Sequence, residues 1–122
     1  MGDGRLNVIS GSVANSQTAA CWIAITEKGK FAFVSNTGSG TISSYRVNAE
    51  DGSLNLINAM AANTGMGSAP IDIALSVNSR IMFVLLGGSQ SVASYRIENN
   101  GDLTQIDAAG GLPRGAQGIV AK

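Results

Sequence analysis

Residues 71–97 repeat a passage already written 50 positions upstream, and this internal period constrains the fold more than any other feature of the chain. Ile73-Ala74 falls on Ile23-Ala24, Phe83-Val84 on Phe33-Val34, Gly88-Ser89 on Gly38-Ser39, and Ser94-Tyr95-Arg96 on Ser44-Tyr45-Arg46. That makes nine identities in the 25 ungapped positions from Ile23 to Val47. A period of this length marks an array of supersecondary units, each too small to bury its own apolar face.

Each unit reads as strands and tight turns. Cys21-Trp22-Ile23-Ala24-Ile25 and Phe31-Ala32-Phe33-Val34 are near-continuous apolar runs of strand length, the pattern of strands covered on both faces. Between them Thr26-Glu27-Lys28-Gly29-Lys30 is a turn in which Gly29 supplies the positive φ of a tight hairpin. Thr41 to Val47 alternates more openly, and Leu54 to Ile57 closes the unit as an outer strand. That outer strand has a relative in Asp3-Gly4-Arg5-Leu6-Asn7-Val8-Ile9-Ser10, at a spacing of 48, and another in Gly101 to Asp107. The closing Gly118-Ile119-Val120-Ala121-Lys122 aligns with the first strand of the second unit. No amphipathic helix of useful length appears.

Strand character therefore falls from apolar on both faces to alternating along each unit. A four-stranded blade of a β-propeller has this gradient, since its first strand lines the crowded axis and its fourth lies at the wet rim. The expected fold is all-β: two four-stranded antiparallel blades with one extra strand at each end, a partial propeller. Residues 3–19 are read as the outer strand of a preceding blade and its loop, 20–70 as blade one, 71–117 as blade two, and 118–122 as the first strand of a further blade.

Composition removes several function classes. Lys plus Arg equals Asp plus Glu, eight of each, so the chain lacks the basic footprint of a nucleic-acid binder or a membrane-surface protein. No apolar run approaches the ~18 residues of a membrane span. The start, Met1-Gly2-Asp3-Gly4-Arg5, lacks the pattern of an export signal, so a cytoplasmic location is the default expectation. Cys21 is the single cysteine, which leaves no intrachain disulfide, and a small apolar core role is expected for it. The absence of histidine excludes a Ser-His-Asp triad within this chain and the usual general base near neutral pH. Neither cofactor nor metal is expected.

The blade wording resembles one family. Pro70-Ile71-Asp72-Ile73-Ala74-Leu75-Ser76, Phe83-Val84, Gly88 to Arg96 and Gly101-Asp102-Leu103 are similar to the lactonase-type seven-bladed propellers, relatives of 6-phosphogluconolactonase and the muconate-lactonising cyclases. Phe31 to Asn36, Gly40 to Tyr45 and Asp51 to Leu54 show the same pattern, and Gly111 to Ile119 resembles the carboxy-terminal end of such proteins. Seven repeats of this size would need ~350 residues, so the resemblance implies the last third of a propeller. Uncovered blade faces and unpaired strands then imply either self-association, with symmetric closure, or contact with missing blades.

The resemblance also implies where a ligand would sit: at the axial mouth, on Asn36 to Gly40, Asn63 to Asp72, Leu86 to Gln90 and Arg114 to Gln117. Arg114 is the candidate for holding a small anionic ligand, with Asp72 as a carboxylate near the axis and Gln117 and Asn36 as hydrogen-bond partners. Tyr45 and Tyr95, each followed by arginine, recur at matched positions and read as packing residues between blades. The expected function is a structural or assembly unit without catalysis of its own. The alternative is a self-assembling propeller that binds or hydrolyses a small anionic lactone or sugar ligand. Lactonase chemistry in this family implies a carboxylate, a histidine and arginines, and the histidine is not here.

Overall fold

In a computed structural model that describes residues 2–122, the chain forms eight strands and no helix. The first sheet contains β1 (Ala20–Ile25), β2 (Phe31–Asn36), β3 (Thr41–Val47) and β4 (Leu54–Asn63), in that order. The second contains β5 (Pro70–Leu75), β6 (Ile81–Leu86), β7 (Ser91–Ile97) and β8 (Leu103–Ala109), again in chain order. Every neighbouring pair is antiparallel. Two meanders of four strands are what the blade reading requires.

The registers match at the sequence offset. Ile23 opposes Val34 as Ile73 opposes Val84, and Phe33 opposes Ser44 as Phe83 opposes Ser94. Corresponding turns close alike: the Thr26 amide donates to the Phe31 carbonyl, and the Ser76 amide to that of Ile81. The left-handed position is Gly29 in the first (φ 65°) and Ser79 in the second (φ 52°).

The core lies between the sheets. Phe31, Phe33, Ile42 and Ala62 of the first meet Ile73, Met82, Val84, Leu86, Ala93 and Tyr95 of the second. Burying each large apolar side chain is worth about 1.5–3 kcal/mol, so this interface, rather than either sheet alone, carries the fold. The inner strands β1 and β2 lie against β5, and the outer strands β4 and β8 against each other, as in adjacent blades.

The opposite face of the first sheet is covered by residues 13–18. Tyr45 donates its hydroxyl to the Val13 carbonyl at 3.0 Å. The Asn15 amide donates to Asn36 Oδ1 at 3.0 Å and to Ser43 Oγ at 3.1 Å. Where the second sheet has Leu86 and Ala93, the first has Asn36 and Ser43, so its cover is a polar network instead of a blade.

Three expectations change. The stretches expected as single strands, residues 3–10 and 118–122, form no ladder: each meets an edge strand only through a side chain, Ser10 Oγ accepting from the Leu54 amide and Asp72 Oδ2 from the Ile119 amide. Leu6, Val8 and Ile9 are consequently exposed. The strand β1, whose sequence predicts cover on both faces, has Trp22, Ile23 and Ile25 about half exposed, since only β2 and β5 stand next to it. Cys21, expected as a core residue, is exposed for the same reason.

Candidate functional site

The site begins with two irregularities in the innermost strands. β1 shifts register between Ala20 and Trp22, and β5 between Pro70 and Asp72. A β-bulge leaves one residue unpaired and re-aims the next side chain, which is why bulges collect beside functional sites. Here the two bulges occupy the same place in their blades. The residues that follow them, Trp22 and Asp72, line one open cleft of about 540 Å³ together with Cys21, Ile71, Gln117 and Gly118.

Each wall has a physical cause. The Trp22 backbone amide donates to Ser35 Oγ at 3.1 Å, which fixes the strand while half of the indole stays exposed. Across the gap the Thr37 hydroxyl donates to the Pro70 carbonyl at 2.8 Å and ties the first blade to the start of β5. Asp72 is only 8% exposed, and a buried carboxylate needs donors. It has two: the Ile73 amide on Oδ1 at 2.7 Å, and the Ile119 amide on Oδ2 at 2.9 Å. Through the second bond the carboxy-terminal segment is held beside β5, where Gln117 and Gly118 line the cleft.

Of the four residues singled out from sequence, the structure brings two together, Asp72 and Gln117. Arg114 sits exposed in the turn closed by the Ala116 amide on the Pro113 carbonyl, and does not line the cleft. Asn36 is fully buried on the other face of the first sheet. Its amide donates to Thr41 Oγ1 and Ser43 Oγ, and its carbonyl accepts from Asn15, so its polar atoms are already in use. Sequence reasoning missed Trp22 and Ile119. The 50-residue offset does place Trp22 on Asp72, and that coincidence was the available signal. Nothing local in the sequence ties Ile119 to Asp72.

Among the described residues that line the cleft, Asp72 is the one with an ionisable carboxyl group. An anion entering it would meet a carboxylate and no cation, whereas an uncharged ring with hydroxyl groups would find an aromatic face, an acceptor and an amide. Among the described residues no three His, Cys, Asp or Glu side chains converge as a metal-binding group. A second cleft, of about 340 Å³, lies among the hairpin turns and mixes Lys28, Lys30 and Arg80 with Glu27 and Glu98.

Comparison with known proteins agrees with this architecture. The family model described as "Lactonase, 7-bladed beta-propeller" matches residues 5–117. The periplasmic gluconolactonase of Pseudomonas aeruginosa is similar at 24% identity and a TM-score of 0.64, over 80% of this chain and 28% of that one. A candidate 6-phosphogluconolactonase from Bacteroides fragilis NCTC 9343 is 29% identical with a TM-score of 0.63, over 76% of this chain and 27% of that one. A functionally unknown protein from Desulfotomaculum acetoxidans DSM 771 matches at 25% identity and a TM-score of 0.64, over 82% and 31%. The chain spans less than a third of the length of each of these structures. No curated protein matches it significantly. No helix of the described residues is long and apolar enough to cross a membrane.

Proposed function

The chain belongs to the lactonase family of seven-bladed β-propellers, and from that premise we propose that it acts as a two-blade assembly unit rather than as a self-contained catalyst. The observation that carries this reading is β1. Its sequence is apolar on both faces, as an axial strand is, yet Trp22, Ile23 and Ile25 are about half exposed. Exposed apolar strand surface of this kind favours association with more of the same architecture. The test is the solution mass of the 12.4 kDa chain by light scattering on a size-exclusion column. A defined oligomer is the expected result. A monodisperse monomer at high concentration overturns the assembly reading.

A second reading rests on a different observation, the shared cleft of Trp22, Asp72 and Gln117 between the two innermost strands. It assigns to the unit the binding of a small, uncharged sugar lactone. Turnover is not part of it: the chain has no histidine, and the Asp72 carboxylate is engaged by two backbone amides. Titrating D-glucono-1,5-lactone while following the Trp22 indole resonance tests it. Saturable shifts without faster ring opening support the reading, and a flat titration removes it.

A further inference from the structure

We infer that Asp72 is a positioning residue: its carboxylate latches the carboxy-terminal segment beside β5 and so holds Gln117 and Gly118 in the cleft wall. The inference deepens the ligand-binding reading above, but its geometry stands apart from any ligand.

Residues 110–122 have no strand ladder to hold them. Among the described residues two hydrogen bonds attach the segment to the blades: the Leu112 amide to the Gln90 carbonyl at 3.0 Å, and the Ile119 amide to Asp72 Oδ2 at 2.9 Å. The remaining backbone bond is internal, Ala116 to Pro113. Gly115 and Gly118 both adopt left-handed backbone (φ 79° and 82°), so the path between the two anchors turns twice and places residues 117 and 118 at the cleft. Among the described residues the Ile119 anchor is the one hydrogen bond downstream of Leu112 that ties this path to the blades.

The anchor is specific to the second blade. The matching position in the first blade is Trp22, which cannot accept a hydrogen bond. Asp72 also gains from the arrangement. It is buried, and the Ile119 amide is the one donor it draws from outside its own strand. A hydrogen bond to an ionised group is among the stronger ones available, which suits a single-point anchor. On this account Gln117 touches the ligand, while Asp72 acts through the segment it restrains.

The experiment measures Ile119 amide exchange and the ¹⁵N relaxation of residues 114–121 in the full chain, in Asp72→Ala and in Ile119→Pro. The second variant deletes the donor and leaves the buried carboxylate position untouched, so it decides the matter where Asp72→Ala fails to fold. In Asp72→Ala the Ile119 amide is expected to exchange about tenfold faster or more. In both variants residues 114–121 become as mobile as a free tail, while the amides of β6 and β7 keep their protection. Gln117→Ala should weaken D-glucono-1,5-lactone binding and leave exchange and relaxation as in the wild type. An Ile119 amide equally protected in Asp72→Ala, or an equally rigid segment in Ile119→Pro, overturns the latch. If the lactone fails to bind the wild type, the ligand-binding reading falls, and the exchange and relaxation data still decide the latch.

Discussion

Gly40 packs against the carbonyl of Gly65 with no room between them for even a methyl group. The contact joins the turn between β2 and β3 to the connection that leads into the second blade, and the Thr64 amide donates to the Gly40 carbonyl at 2.8 Å beside it. Gly40 is also left-handed, at φ 67°. Two independent constraints thus require glycine here, space and backbone conformation.

Gly40→Ala should therefore cost about 2–3 kcal/mol, above the ~1 kcal/mol of an unfavourable φ alone, because the neighbouring backbone must also move. Urea unfolding reads this as a lower midpoint. Gly110→Ala, where an added carbon meets nothing, serves as the control and should shift it little.

Phe33→Ala removes a ring that is fully buried between the sheets. The expected loss is about 3–5 kcal/mol, a large part of the stability of a domain this size. Because the core is shared, both blades should unfold in one transition. Independent melting of the second blade, followed through Tyr95, would contradict a single core.

The polar network over the first sheet gives a paired prediction. Asn15→Ala leaves the Asn36 carbonyl without its donor and should cost about 1–3 kcal/mol. Adding Asn36→Leu and Ser43→Ala gives this face the residues of the second sheet, Leu86 and Ala93. The triple variant should recover part of the loss, since no buried amide is then left unpaired. A triple variant weaker than the single one by the full sum of its parts would show that the network is not coupled.

Alkaline pH should weaken the fold through its tyrosines. Burial pushes the Tyr95 phenol up, and it does the same at Tyr45, where the Asn15 side chain partly offsets it. With folded-state values above the unfolded one, both phenols stay neutral in either state below about pH 10, and the stability they contribute is intact. As pH rises further the unfolded chain ionises first, and that stability is lost as pH passes through the folded values. Melting temperature should fall less steeply above about pH 10 in Tyr95→Phe than in the wild type. Tyr45→Phe should also lose about 1 kcal/mol at neutral pH with the bond to Val13.

The blades themselves were legible from the sequence. Strand existence follows from local patterning, as in the apolar run Phe31 to Val34, and turn chemistry follows from residues such as Gly29, which must be left-handed. The repeat then fixed the matching of strands between units, because equal residues at equal spacing pair in equal registers. Half of the candidate site was legible as well: Asp72 stands in the first strand of its blade and Gln117 in the segment after the last, and both line the cleft. The other half was not. Asn36 ends strand β2 and is consumed by Asn15, 21 residues before it, and Arg114 lies exposed in a turn. Trp22 reaches the cleft because a bulge re-aims it, and Ile119 meets Asp72 across 47 residues of chain. Local periodicity determines which residues form strands and which face each side chain takes. Which strands find neighbours, and which polar groups find partners, is decided only when distant segments compete for the same buried donors and acceptors.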